Sequence, residues 1–320
     1  MGSFTVNLSE LDRPRKPGIS GIMRIKNGED FLALTIEKHL PYYDEIIACY
    51  NDCSDNTVTI LKRLQHKYPN KVKVFHYEPK VYPLFSEEHA SADMSDIHSM
   101  ANYYNYALSQ ANYCVATKLD DDHYPVEETL ASLINTVRKD IAEGKQKLYT
   151  FSGINVADDD NKTIGIPMHA PIVGTGDHMY FPVCSNIYFE QGPEFEHFVF
   201  KGRKLEKKYY GLAYIHLKFL KKDLGYLNLP MEKQLAFKQM FMDAGGLARF
   251  DRQGMQKVLE HLKGAHCRAE LFLYDLLCFK KLLYLLFKKN PPLRIERIQR
   301  FESDFNSLDI KALLEDMRAG

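Results

Sequence analysis

The chain has 320 residues, with 42 basic and 42 acidic side chains and 45% hydrophobic residues. This composition is typical of a globular protein with a large core, and it excludes intrinsic disorder, collagen and a small disulfide scaffold. A formal charge of zero lacks the positive field of a protein whose main partner is nucleic acid, so we expect no nucleic-acid function.

The cysteines and the apolar segments predict where the protein works. The six cysteines include no CxxC pair, and we expect them to be reduced. No uninterrupted apolar stretch approaches the roughly 20 residues that span a bilayer, and residues 1–17 are polar and carry no apolar signal core. We therefore expect a cytoplasmic protein that begins with a flexible lead over residues 1–17.

Strand and helix patterns alternate over the first half of the chain. Strands are predicted at 19–25, 45–50, 72–77 and 113–119, and helices at 29–39, 57–68 and 97–110. This alternation predicts an α/β fold with a mostly parallel sheet flanked by helices, in which ligands bind at the carboxyl ends of the strands.

The second half has a different pattern. Strands are predicted at 148–156 and 179–189, and the pattern beyond residue 201 is interpreted as helical. Three helices are predicted near the end, at 255–264, 268–289 and 296–317. We therefore divide the chain into the lead, a main domain at 18–250 and a helical C-terminal region at 251–320.

Three carboxylates follow the fourth predicted strand: Asp120, Asp121 and Asp122. Asp120 and Asp122, separated by one residue, could share a hard divalent cation that in turn bridges a diphosphate. A solvated acidic turn is the alternative, and the spacing alone does not decide between the two.

Polar residues also follow the first two predicted strands. Arg24 and Lys26 leave the first strand with charges that suit phosphates. Asn51 and Asp55 lie in a polar turn between the second strand and the next helix, where they could bind a ligand or cap that helix.

Four pieces of the chain, residues 19–29, 44–47, 51–57 and 105–111, precede the strand that ends at the three aspartates. Together they resemble the family-2 glycosyltransferases of the GT-A fold over residues 18–125. The resemblance implies a nucleotide-sugar-dependent transferase. It places Arg24, Lys26, Asn51 and Asp55 at the nucleotide, with Asp120 and Asp122 holding Mn²⁺ or Mg²⁺ on the diphosphate. The family usually has an aspartate at the end of the second strand, where this chain has Tyr50 and Asn51. Asp121 leaves open which pair of carboxylates faces the metal and which contacts the donor.

A catalytic base is expected downstream, because direct displacement by a hydroxyl needs a proton acceptor within hydrogen-bond reach. The candidates are Glu196, Asp177 and Glu194. Glu196 is preferred because it follows two predicted strands and a Gly-Pro turn, in the manner of the family's downstream acidic motif.

Histidines provide further candidate ligands. Some enzymes of this fold complete the metal site with a late histidine, so His216 is a candidate ligand and Lys218 a candidate diphosphate partner. The alternative is a hydrogen-bonded core histidine. His123, His178 and His197 receive less weight.

The predicted function is transfer of a sugar, with inversion, from a nucleoside diphosphate donor to a saccharide or lipid-linked saccharide hydroxyl. A UDP-linked donor and a setting in bacterial surface polysaccharide or lipopolysaccharide synthesis are expected from the resemblance. The alternatives are a sugar nucleotidyltransferase and a scaffolding subunit with a degenerate transferase fold. The basic apolar segment 270–289 could contact the inner face of the cell membrane, or pack internally or in a homodimer.

Overall fold

The computed structural model describes residues 4–84, 86–159, 163–174, 178–193, 195–202, 204–222, 236, 239, 246–264 and 295–319. Its helices are a short 3-10 helix at Leu8–Asp12, followed by α1 Leu32–His39, α2 Thr57–Lys67, α3 Glu87–Ser91, α4 Met100–Ser109, α5 Glu127–Ala142, α6 Arg252–Gly264, α7 Ile295–Asn306 and α8 Ile310–Ala319. Its strands are β1 Lys16–Ile25, β2 Glu45–Tyr50, β3 Val72–His76, β4 Tyr113–Lys118, β5 His123–Pro125, β6 Lys147–Asp158, β7 Ile164–Pro167, β8 Ile172–Val173, β9 Met179–Pro182, β10 Ile187–Glu190, β11 His197–Phe200, β12 Glu206–Phe219 and β13 Leu247–Arg249.

Within the described residues, eleven strands form one mixed sheet. Its main path runs β13-β7-β6-β9-β4-β1-β2-β3, with β12, β5 and β8 attached beside it. The four longest ladders, β1 with β2, β1 with β4, β2 with β3 and β6 with β12, are parallel. The α/β class and the mostly parallel sheet are therefore confirmed.

Both faces of the parallel part are covered by helices. Along β1, Ile19 and Met23 belong to the hydrophobic cluster that includes α1, α2 and α5, whereas Ile22 belongs to the cluster that includes α4. Successive side chains of a strand point to opposite faces, so one strand supplies two cores. Because β1 and β4 pair in parallel, their carboxyl ends lie side by side at one edge of the sheet.

The helical interpretation of residues beyond 201 is wrong, because β12 is a strand of 14 residues. From Tyr210 to Leu217 every residue of β12 is buried. A strand that is buried on both faces shows no alternation, and its apolar run cannot be distinguished from a buried helix by periodicity. The predicted strand 179–189 is two strands, β9 and β10, and β10 pairs with β11 in a separate hairpin.

The two ends of the chain also differ from the prediction. Before Gly18, Leu11 is fully buried in the 3-10 helix and β1 already begins at Lys16. The predicted helix 296–317 consists of α7 and α8, with a break at residues 307–309. The predicted helix 268–289 lies outside the described residues.

The C-terminal helices pack directly on the sheet. Asp304 of α7 accepts a hydrogen bond from the backbone N–H of Leu212 in β12 at 3.0 Å. Gly211 has a φ of 78°, and a Cβ there would overlap with the Asp304 carboxylate. A glycine is therefore required where the helix meets the strand. Among the described residues, no helix combines the length and apolar character needed to cross a bilayer.

A buried histidine in α1 makes stability depend on pH. His39 is 3% exposed, its Nδ1 donates to the carbonyl of Thr35, and burial lowers its pKa to about 4. The unfolded chain binds a proton at His39 below pH 6.5 and the folded chain does not, so stability falls as the pH decreases. Between pH 7 and pH 5, His39 lowers the free energy of unfolding by about 2 kcal/mol.

We therefore expect His39→Asn to lose less stability than the wild type between pH 7 and 5, as measured by urea unfolding at both values. His66→Asn is the control, because His66 is exposed on α2. An equal loss of stability in His39→Asn and wild type would contradict the prediction.

Candidate active site

A cavity of about 510 Å³ opens at the carboxyl ends of β1 and β4. Its lining combines charged and apolar side chains. The charged side chains that line it are Arg24, Lys26, Lys118, Asp120, Asp121, Asp122, Glu196 and Lys218, with His178, His197 and His216. The apolar side chains are Leu84, Val173, Phe189, Phe195 and Phe198.

Lys221 neutralises part of the acidic cluster. Its fully buried ammonium lies 3.0 and 2.9 Å from the two carboxylate oxygens of Asp121, and 3.4 Å from Oδ2 of Asp122. Burial alone would lower the pKa of Lys221, but the two carboxylates outweigh it and raise that pKa above its ordinary value. Asp121 is therefore held as an internal ion pair.

The loop after β1 approaches this ion pair closely. A Cβ at Gly28 would overlap with the carboxylate of Asp121. The hydroxyl of Thr35, in α1, donates to the backbone carbonyl of Asp121 at 3.0 Å. The turn after β4 is thus fixed from the side of β1 and α1.

Asp120 faces two histidines. Its Oδ2 lies 3.6 Å from Nε2 of His123 and 3.6 Å from Nε2 of His178, and its side chain is 27% exposed. Burial would raise the pKa of Asp120, but neighbouring positive charge, foremost that of Lys118, lowers it to about 2. Asp120 is therefore an anionic side chain directed at imidazole nitrogens.

His216 lies on the other side of the same cluster. Its Nε2 is 3.3 Å from Oδ1 of Asp122, and its Nδ1 is 2.8 Å from Oδ1 of Asn155. Potential ligand atoms of Asp120, His123 and His216 all lie within 4.8 Å of one another. Nε2 of His123 is buried and, within the described part of the chain, has no hydrogen-bond partner. These residues fit a divalent cation.

The positive charges lie around an aromatic ring. The guanidinium of Arg24 is 4.7 Å and the ammonium of Lys118 is 5.4 Å from the ring centre of Tyr104, whose hydroxyl is 3.2 Å from Nη2 of Arg24. Burial lowers the pKa of Lys218 to about 8, although Asp122 and Asp120 act in the opposite direction. Cations held at one cavity can bind a polyanionic group such as a diphosphate.

The structure brings together most of the predicted site residues. Arg24, Lys26, Glu196, Lys218 and the acidic cluster with His216 line the same cavity, and Lys26 also pairs with Asp52 at 2.9 Å. Asp177 and Glu194 lie outside the described residues.

Asn51 and Asp55 do not line this cavity and make internal hydrogen bonds instead. The amide nitrogen of Asn51 donates to the carbonyls of Tyr77 and Pro79, at 2.6 and 2.8 Å. Asp55 accepts from the backbone N–H groups of Glu29 and Thr57, both at 3.0 Å. The observed contacts of both side chains are structural ones in the loops after β1 and β2.

Sequence reasoning missed several residues of the cavity. Lys118 immediately precedes the acidic cluster, and its place at a strand end was an available signal. Lys221 has no sequence signal, because the pattern of the strand before it resembles a helix. Tyr104 has none either, because it is one of several tyrosines in the same helix. His123 and His178 received too little weight as site residues, since no sequence spacing links them.

No protein-family model and no curated protein sequence matches the chain. Structures of GT-A glycosyltransferases resemble it at low identity. Residues 1–349 of S. aureus TarS are 13% identical with a TM-score of 0.39, covering 94% of this chain and 87% of that one. Glucosyl-3-phosphoglycerate synthase from Mycobacterium tuberculosis, in complex with Mn²⁺, UDP and glucosyl-3-phosphoglycerate, is 12% identical with a TM-score of 0.37, covering 73% and 80%. At these scores the likeness carries no argument about chemistry, which rests on the cavity.

Proposed function

We propose that the chain transfers a sugar from a nucleoside diphosphate donor to a hydroxyl of a saccharide or lipid-linked saccharide. In this proposal the donor sugar is linked to UDP, and transfer inverts the configuration at the anomeric carbon. One observation carries the proposal. Cations at the end of β1, carboxylates after β4 and polar residues of β12 come from distant parts of the sequence and line one cavity. Such a convergence of charges in a cleft is typical of a site for a polyanionic substrate.

The cationic side chains have the first role. Arg24, Lys118 and Lys218 would bind the diphosphate and stabilise the negative charge that develops on it as the glycosidic bond breaks. Mn²⁺ or Mg²⁺ held by Asp120, Asp122 and His216 would supply further positive charge to the leaving group. Asp121 is engaged with Lys221, which supports a role in positioning the turn.

Glu196 has the role of the base. It directly precedes β11 and lines the same cavity as Arg24 and Lys218. Its carboxylate would accept the proton of the acceptor hydroxyl as that oxygen attacks the anomeric carbon from the face opposite the diphosphate. The apolar side chains of Phe189, Phe195 and Phe198, which line the same cavity, would help to exclude water.

The nucleotidyltransferase alternative is less well supported, because it requires free backbone N–H groups after β1 to bind phosphates. The N–H of Gly28 donates to the hydroxyl of Thr57 at 2.8 Å, and that of Glu29 donates to Asp55. These donors are used inside the protein. A scaffolding role would not require a cavity lined by so many charges.

Other parts of the proposal follow from the sequence. We propose a cytoplasmic enzyme of bacterial surface polysaccharide or lipopolysaccharide synthesis, whose main domain at 18–250 carries the site. Peripheral membrane contact through 270–289 and a homodimer complete this proposal, since a lipid-linked acceptor would be reached at a membrane surface.

The test is a donor screen with a panel of nucleoside diphosphate sugars and Mn²⁺, which measures nucleotide release and the thermal shift. We expect one nucleotide class to stabilise the protein only when Mn²⁺ is present and its sugar donor to be hydrolysed slowly. Stabilisation by a nucleoside triphosphate with a sugar phosphate would instead favour the nucleotidyltransferase. The absence of any shift or turnover would contradict both enzymatic functions.

A further inference from the structure

The imidazoles around Asp120 set the character of the metal site. We infer that the site binds a first-row transition metal ion in preference to Mg²⁺, through His123, His216 and Asp120 with His178 beside them, and does so without nucleotide. The part that this ion plays in sugar transfer rests on the proposed function, whereas its binding does not.

The backbone places two of the imidazoles next to each other. β5 and β12 pair antiparallel, and His123 lies directly opposite His216 in this register. Side chains of directly opposed residues lie on the same face of the sheet. The two rings are 5.3 Å apart between centres, and the ring of His178 is 4.9 Å from that of His123. Three imidazoles thus converge without any sequence motif that joins them.

The neighbours of these rings hold them in a ligating orientation. Nδ1 of His216 donates to the amide oxygen of Asn155, which leaves the lone pair on Nε2 directed at the cluster. The ring of His123 is stacked on Tyr214, with 3.8 Å between centres. Such a second layer of contacts is what orients histidine ligands in metal sites.

A buried nitrogen of His123 also points into this cluster without a hydrogen-bond partner among the described residues. The nitrogen is Nε2, and His123 as a whole is 2% exposed. A buried polar nitrogen without a partner is costly, and a cation would provide one.

The available donors suit a transition metal better than Mg²⁺. Mg²⁺ prefers oxygen ligands in octahedral geometry, whereas imidazole nitrogen favours ions such as Co²⁺ and Zn²⁺. Lys221 contacts both oxygens of Asp121 and Oδ2 of Asp122, so of these two carboxylates only Oδ1 of Asp122, 3.3 Å from Nε2 of His216, remains for an ion. What remains is a site rich in nitrogen, which holds its metal without phosphate oxygens.

The experiment uses the full chain, stripped of metal by chelation and free of nucleotide. Isothermal titration with Co²⁺ and with Mg²⁺ measures the two affinities, and the visible absorption of bound Co²⁺ reports nitrogen ligation. We expect Co²⁺ to bind at least about 10-fold more tightly than Mg²⁺. His123→Gln should weaken Co²⁺ binding by about 10-fold or more and alter the absorption spectrum.

The matched control is His197→Gln. His197 also lines the cavity, but its side chain is 57% exposed and pairs with Glu190 at 3.5 Å, so its replacement should leave Co²⁺ binding unchanged. Equal affinity for Mg²⁺ and Co²⁺ in the wild type would overturn the inference, and this comparison needs no variant. An unchanged spectrum in a folded His123→Gln protein would also overturn it. Co²⁺ binding without sugar transfer would support this inference and contradict only the proposed function.

Discussion

Replacement of Asp120 by asparagine is expected to reduce the rate of sugar transfer at least about 100-fold at saturating donor and metal. The exchange keeps the size of the side chain but removes the charge that faces His123 and His178. In the proposed function, both the binding of a cation and the stabilisation of the leaving diphosphate would depend on that charge. The measurement is nucleotide release with the donor identified by the screen.

Glu128→Gln is the control for this variant, because Glu128 is exposed in the first turn of α5 and does not line the cavity. Circular dichroism establishes that both variants are folded. Wild-type turnover by a folded Asp120→Asn protein would contradict the role assigned to Asp120 in transfer.

Replacement of Lys221 by methionine is expected to reduce the free energy of unfolding by about 3–5 kcal/mol. The variant leaves Asp121 and Asp122 buried beside each other without the ammonium that contacts both. Removal of one partner from a buried ion pair is costly because the remaining charge has no water to solvate it. Urea unfolding at pH 7 measures the loss.

The neighbouring Lys222 provides a matched control. Its side chain is 81% exposed and pairs with Asp30 at 3.1 Å, so Lys222→Met should change stability little. Adding Asp121→Asn to Lys221→Met should restore part of the lost stability, since it removes one of the two buried negative charges. Similar stability of Lys221→Met and Lys222→Met would contradict the role assigned to this ion pair.

The first half of the fold was predictable because its strands end in polar residues. The apolar runs that end at Ile25, Tyr50 and Lys118 are short and are followed by turns, so β1, β2 and β4 and their shared edge could be inferred from local pattern. The cavity residues Arg24, Lys26 and Asp120 follow from that inference, because parallel strands bring their carboxyl ends together.

The remainder depends on contacts between distant parts of the chain. β12 is buried on both faces, and its pairing with β5 determines that His123 meets His216. Lys221 reaches Asp121 across 100 residues of sequence. Neither contact has a local signal, because the register between distant strands is set by tertiary packing. Asn51 and Asp55 illustrate the opposite case, since a polar turn looks the same whether it binds a ligand or supports a loop.

The last two helices make contacts that change how the C-terminal region should be regarded. Asp316 in α8 bonds to Lys38 in α1 and to the hydroxyl of Tyr124, which is the residue next to His123 in β5. Asp304 in α7 bonds to the backbone of β12, the strand that bears His216. Removing these helices would therefore remove contacts that support β5 and β12, the two strands that bear His123 and His216. A shortened chain that still folded should have a loosened cavity, and α7 and α8 support the candidate site from the side of the sheet that bears the two histidines.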